Sequence, residues 1–228
     1  MPRKGNVSRA VREALLLRPC MLEAVRYGVV NFSALARFLK GDIEENLGRE
    51  VNVSSIKMAL VRLSREEAQQ RAVIEKKLTN VVAGSSITLV DDVVVITLWE
   101  KEALKYMSKF FEKAEKARFF QMTQGVGHVT LMLDAATCKE LLEEVPRESI
   151  EAILKDQTAI IMTSPREIVD TPGVISYITT LLSSKGINIT QIISCHTDSI
   201  FVVSKKDSIQ AYLTLTELIN KFRAKRVP

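Results

Sequence analysis

Residues 158–203 read TAIIMTSPREIVDTPGVISYITTLLSSKGINITQIISCHTDSIFVV. The apolar run Ala159-Ile160-Ile161-Met162 predicts a strand that leads into a loop over 164–170. Thr171-Pro172-Gly173-Val174 predicts a helix start, because proline in a first turn loses no hydrogen bond that the helix needs. Ile175, Ile178, Leu181 and Leu182 follow at helical spacing, and Gly186 stands where a left-handed cap ends the helix. Ile187, Ile189, Ile192 and Ile193 then predict a strand. His196-Thr197-Asp198 predicts a turn, and 200–203 the returning strand.

Strand, helix, strand, strand, with a helix to follow, is most of a ferredoxin-like βαββαβ unit. Three motifs lie in it: D-x-P-G-V at 170–174, L-x-x-x-G-I-N-I at 182–189 and S-I-F-V-V at 199–203. With them this third of the chain resembles the regulatory ACT domain, above all the version at the C-terminal end of aspartokinases. The resemblance implies a free amino acid as allosteric effector. It would be held by the loop and helix start with the start of the next strand: Asp170, Thr171, Pro172, Gly173, Val174, Asn188 and Ile189. It also implies a homodimer paired through this unit.

Elementary chemistry supports a site there. A helix N-terminus offers unpaired N–H groups and partial positive charge, which suit a carboxylate. Asp170 is placed for a ligand ammonium, and the Asn188 amide both donates and accepts. The plainer alternative is that Asp170 only caps the helix and Asn188 only closes a turn.

Upstream, Val11, Leu15, Leu16, Leu22 and Val25 give an apolar helical face over 7–27, with a break at Pro19. Asn31 and Asn52 are N-cap candidates for helices over 32–47 and about 53–66, and Gly48 ends the first of these. Two helices joined by a tight turn form a helix-turn-helix-like pattern. Ile56, Ala59, Leu60 and Leu63 face its core. Ser54, Lys57, Arg62 and Arg65 lie on the opposite face, where DNA phosphates and base edges are expected partners. Residues 1–80 hold 15 Lys+Arg against 9 Asp+Glu, a net of +6, and residues 81–228 hold 17 against 18, a net of −1. The basic excess thus belongs to one end, and points to a separate partner there. The alternatives for this face are a solvated bundle or a protein-docking surface.

Residues 67–80 read as a charged helical connector. Residues 86–90 and 93–98 read as a hairpin around Asp91-Asp92. From Val93 a second βαββαβ pattern follows: a strand over 93–98, a helix over 100–118, strands over 119–123 and 128–133, a helix over 135–145 and a short strand over 152–154. It lacks the P-G loop, with Trp99-Glu100-Lys101 in its place, so packing is its expected task. The other copy lacks a clear last strand: after a helix over 208–222 only 223–228 remain. Residues 86–90 are a candidate to supply that strand.

The expected fold class is therefore α+β: a helical helix-turn-helix-like module with connector (1–80), a degenerate ACT-like unit (81–156) and an ACT domain (157–228). The chain has two histidines and three cysteines. Cys20, Cys138 and Cys195 are widely spaced, which excludes a disulfide framework and a zinc pattern and predicts small core residues. No phosphate-cradling, nucleophile-elbow or metalloprotease motif is present, so no catalytic residue, metal or cofactor is expected. No apolar run approaches the roughly 20 residues of a membrane helix and no signal core follows Met1, so a cytoplasmic protein is expected. Function reads as an amino-acid-sensing, ligand-responsive regulator of transcription. The alternative is a stand-alone regulatory subunit that docks on an amino-acid-biosynthetic enzyme.

Overall fold

The computed structural model describes residues 6–225. They fall into two compact units, divided between Lys76 and Lys77.

In the first unit the apolar face expected over 7–27 becomes two helices, α1 (Val7–Leu16) and α2 (Pro19–Arg26). Pro19 takes the first position of α2, where its fixed φ is an asset. Helix α3 (Phe32–Leu47) is capped by Asn31, whose Oδ1 accepts from the N–H groups of Ser33 and Ala34. It ends at Gly48, whose φ of 62° is left-handed. Helix α4 begins at Val53 behind Asn52, whose Oδ1 accepts from the N–H of Ser54 at 2.9 Å. Val11, Leu15, Leu39, Ile43, Ile56 and Leu60 form a fully buried core between these helices.

The helix beginning at Val53 runs without a break to Gly84, and the stretch from 67 is not a bare connector. Glu67, Arg71 and Glu75 recur every fourth residue, so they share one face. That face is tied to α1 and α2. Arg12 and Arg26 reach Glu67 at 2.7 and 3.0 Å, and Arg71 donates to the carbonyl of Arg26 at 3.2 Å. The Tyr27 hydroxyl donates to Glu75 at 2.7 Å. Burial raises the Glu67 carboxyl, but the Arg12 and Arg26 bonds outweigh it and hold Glu67 below the ordinary carboxylate range.

The second unit comprises β1 (Ser86–Trp99), α5 (Glu100–Ala103), α6 (Met107–Lys116), β2 (Phe120–Gln124), β3 (His128–Asp134), α7 (Ala135–Glu144), β4 (Ile150–Thr163), α8 (Val174–Ser184), β5 (Ile189–Cys195), β6 (Asp198–Ser204) and α9 (Lys205–Lys225). Its strands form one antiparallel sheet in the order β2-β3-β1-β4-β6-β5. Two expectations are corrected. There is no hairpin at Asp91-Asp92: residues 86–90 and 93–98 are halves of the single strand β1. Likewise 152–154 and 159–162 belong to the single strand β4. The two strands pair along their length, with a register break between Val90 and Val93.

At that break Asp92 has φ 55°, and Asp156 on β4 has φ 56°. One left-handed residue bends a strand, whereas a two-residue hairpin loop of the favoured type needs positive φ at both central residues. The bend is held from the side. Asp91 accepts from the Thr158 hydroxyl at 2.9 Å, and Lys205 lies 3.1 Å from Asp91 and 2.6 Å from Asp92.

Residues 86–90 pair with 159–163, Ile87 opposite Met162 and Leu89 opposite Ile160. This is the edge of β4 away from β6, where a last strand was missing. Arg223 and Lys225 are helical, and residues 226–228 of the expected tail lie outside the described residues.

Alternation along the strands sorts their apolar side chains to two faces. Ile160, Met162, Phe201 and Val203 pack with Ile178 and Leu182 of α8 and Leu215 and Ile219 of α9. Ile96, Leu98, Leu131 and Leu133 pack with Phe110 and Leu141. The other face curls, burying Val93, Val95, Met132, Ala159, Ile200 and Val202 with Phe119.

Candidate effector cleft and basic helix face

After β4 the chain enters a 3-10 turn, Arg166–Asp170, before α8. Ile168 at its centre is buried. Thr171 is buried too, and its hydroxyl donates to the Glu167 carbonyl at 2.6 Å. Gly173 has φ 89° and ψ −7° and is the N-cap of α8, with no side-chain cap bond. Pro172 is therefore outside the helix, contrary to expectation, because the left-handed residue that turns the chain into α8 comes after it. Asp170 is not the cap either: it ends the 3-10 turn, two residues before the N-cap position.

The first-turn N–H groups of an α-helix have no intrahelical acceptor, and no side chain caps α8. They border a cleft of about 390 Å³. Ile168, Val169, Val174 and Ile175 form its apolar wall. Thr171, Gly173 and Ser176 continue it from the loop and helix, and Ser194 and His196 close it from the end of β5. The two sides are joined where the N–H of Ser164 donates to the Thr197 carbonyl at 2.9 Å.

Of the seven expected effector residues, Thr171, Gly173 and Val174 line this cleft. Asp170 is exposed between Val169 and Thr171, which line the cleft, and does not line it itself; Pro172 is also exposed and outside it. Asn188 and Ile189 are elsewhere. Ile189 pairs with Val203, and Cys195, next to the cleft, pairs with Asp198. Six residues at about 3.3 Å each put roughly 20 Å between the two ends of β5. The sequence reading missed Ser194 and His196, which have no helical or cap signature.

The other candidate set lies on α4. Ser54, Lys57, Arg62 and Arg65 are all exposed on one side of the helix. Among the described residues no carboxylate pairs with Lys57, Arg62 or Arg65. Ser54 and Arg62 also line a shallow cavity of about 350 Å³ with Asn6, Ser8 and Met58.

Two of the three cysteines depart from expectation: Cys20 and Cys195 are exposed, and only Cys138 is buried. Burial pushes the Cys138 thiol up, away from reactivity. Among the described residues no group of three or more His, Cys, Asp or Glu is placed to hold a metal ion, and no helix is long and apolar enough to cross a membrane.

Residues 153–217 match the ACT domain. The match covers β4, the cleft loop, α8, β5, β6 and the first half of α9. No curated protein matches the chain. Among solved structures, the aspartate kinase of Clostridium acetobutylicum is similar at 19% identity and a TM-score of 0.50, over 60% of this chain and 34% of that one. This chain thus spans about a third of that enzyme. The regulatory subunit of aspartate kinase from Thermus flavus is similar at 16% identity and a TM-score of 0.49, over 58% of this chain and 95% of that one. At these identities the likeness is one of fold.

Proposed function

We propose that the protein is a non-catalytic regulator that responds to a free amino acid. The observation that carries this reading is a coincidence of place: the ACT match contains a cleft at the uncapped N-terminus of α8. A ligand carboxylate suits those N–H groups, and Asp170 beside the cleft suits an ammonium. We read the second compact unit as two interlocked βαββαβ units, 81–156 and 157–228, that share β1 and β4. Strand order supports this, because β2-β3-β1-β4 and β1-β4-β6-β5 each follow the ferredoxin-like sequence of neighbours.

Asn188 and Ile189 lie too far from the cleft to complete it in the same chain. In our reading a second copy, paired through the edge strand β5, supplies them, so the regulator is a homodimer. A free amino-acid effector fits a cytoplasmic protein. The test is a thermal-shift screen of the full chain against the amino acids. A ligand that binds only the folded state adds about 2.7 kcal/mol at 100 times its Kd. If every amino acid at millimolar concentration leaves the melting point unchanged, the reading fails.

For the first unit we propose DNA as the partner, which makes the protein a ligand-responsive regulator of transcription. The exposed Ser54, Lys57, Arg62 and Arg65 on one helix face support it. A second reading, a regulatory subunit docking on a biosynthetic enzyme, has an observation of its own. Leu16, Leu17, Val29 and Phe38 of the same unit are more than half exposed. Salt separates the two, since phosphate contacts weaken steeply with it and apolar docking does not.

A further inference from the structure

We infer that Ser199 is a ligand-contacting residue of the cleft and that the effector has an uncharged side chain. This rests on the effector reading above and says which amino acids the cleft accepts.

Ser199 is fully buried, and its hydroxyl has no hydrogen-bond partner among the described residues. Buried polar groups are nearly always paired, so an orphan hydroxyl calls for a partner that binds later. Its position gives that partner a place. Ser199 and Ser194 are directly opposed residues on β6 and β5. Opposed residues project to the same face, with Cβ atoms about 5 Å apart. Ser194 lines the cleft. Phe201, two residues further along β6, belongs to the core under α8 with Val174 and Ile178. Period-two alternation puts Ser199 on that same α8-facing side. Its hydroxyl therefore stands beside Ser194 at the end of the sheet that floors the cleft.

The walls set the class of side chain. Among the described residues that line the cleft there is no Asp, Glu, Lys or Arg. An ammonium, guanidinium or carboxylate on the effector side chain would lose water and meet no counter-charge, which is costly. The carboxylate common to all amino acids is provided for by the N-terminus of α8. What remains for the side chain is the apolar surface of Ile168, Val174 and Ile175 with the hydroxyls of Ser176, Ser194 and Ser199. That lining suits a small, uncharged side chain.

The experiment is calorimetric titration of the full chain with serine, threonine, valine and isoleucine, and with lysine, arginine, aspartate and glutamate, on wild type and Ser199→Ala. The expected result is binding by at least one uncharged amino acid that is tighter than binding by any charged one. Ser199→Ala should weaken that ligand about three- to tenfold, the loss of one neutral hydrogen bond. Its melting point without ligand should be unchanged or higher, because the substitution removes an orphan polar group rather than a contact. A charged amino acid binding tightest overturns the side-chain class. Unchanged affinity in Ser199→Ala, with its melting point retained, overturns the role of Ser199. If Ser199→Ala lowers the melting point, Ser199→Cys, nearly isosteric and a poor donor, replaces it under the same two criteria. Absence of binding by all eight overturns this inference, and extending the titration to the remaining amino acids then decides the effector reading itself.

Discussion

The hydroxyl oxygens of Ser85 and Ser164 lie 2.9 Å apart and both residues are buried. Ser85 follows the last residue of α4, and Ser164 opens the loop that leads to the cleft. The pair fastens these two segments, and Gly84 and Pro165 pack at the same junction: a Cβ on Gly84 would lie 2.5 Å from the Pro165 ring. Arg223 of α9 adds to it, donating to the carbonyls of Ala83 and Ser85 at 2.9 and 2.7 Å.

Ser164→Ala should therefore lower stability by about 1–3 kcal/mol, the cost of leaving a buried partner unsatisfied. Ser85→Ala should cost a similar amount, and the double variant less than the sum, since both remove one interaction. Chemical denaturation of the three variants measures this. Full additivity would show that the two hydroxyls act separately.

Gly173→Ala should cost about 1–2 kcal/mol. The φ of 89° is left-handed, and there the penalty for a Cβ is of this size. No atom within 4 Å would meet the added methyl, so the cost is one of backbone alone. Gly173→Asn should cost less than Gly173→Val, because asparagine tolerates positive φ and a β-branched residue does not. Equal melting points for all three would contradict the assigned cap geometry.

Acid should weaken the first unit through Glu67. Its folded-state pKa is depressed, so its contribution is whole above the unfolded value of about 4.3 and is lost as pH falls through the folded value. Glu67→Gln should lower stability by about 1–3 kcal/mol near neutral pH. The gap to wild type should close as pH falls below about 4.3. Denaturant midpoints of both proteins from pH 7 down to pH 3 give the comparison, and a gap that widens in acid would have the wrong sign.

If the proposed dimer site is right, Asp170→Ala and Asn188→Ala should each abolish the shift given by whichever amino acid stabilises wild type. An equal mixture, unfolded and refolded together, should recover part of it. Each heterodimer then holds one site with both substitutions and one with neither. Light scattering checks that the species are dimers, and no recovery in confirmed heterodimers would put both residues in the same chain's site.

On DNA, Lys57→Ala should weaken binding to all sequences and reduce the salt slope by about one unit. Arg62→Ala, if that side chain reads guanine, should cost about 1–3 kcal/mol at one base position. Gel shifts of random duplex at low salt give the baseline. No affinity at about 50 mM salt, where phosphate contacts are strong, would leave enzyme docking as the partner reading.

Much of the effector region was legible because its signals are local. Alternating apolar residues marked β4, β5 and β6, and Gly173 with Gly186 marked the two ends of α8. The Asn31 and Asn52 caps were likewise plain, since a cap needs only a side-chain oxygen and the next few N–H groups. Asp91-Asp92 misled for the same reason. Two turn-forming residues between apolar runs look alike whether the chain reverses or merely bends, and the choice is made by β4, whose residues 150–163 lie far along the chain. The charged stretch from Glu67 misled because its partners, Arg12, Arg26 and Tyr27, are about 40 to 55 residues earlier.

By itself the sequence determined where helices and strands begin, which faces are apolar, that basic charge gathers in the first 80 residues, and that an ACT-like loop lies at 170–174. Only the tertiary structure decided that Ser194 and His196 wall the cleft, that Asn188 is at the other end of β5, and that Ser199 is left buried without a partner. The physical reason is range. Caps, turns and amphipathic faces are set by neighbours within a few residues, whereas strand partners and unpaired hydroxyls are settled by segments that meet only when the sheet closes.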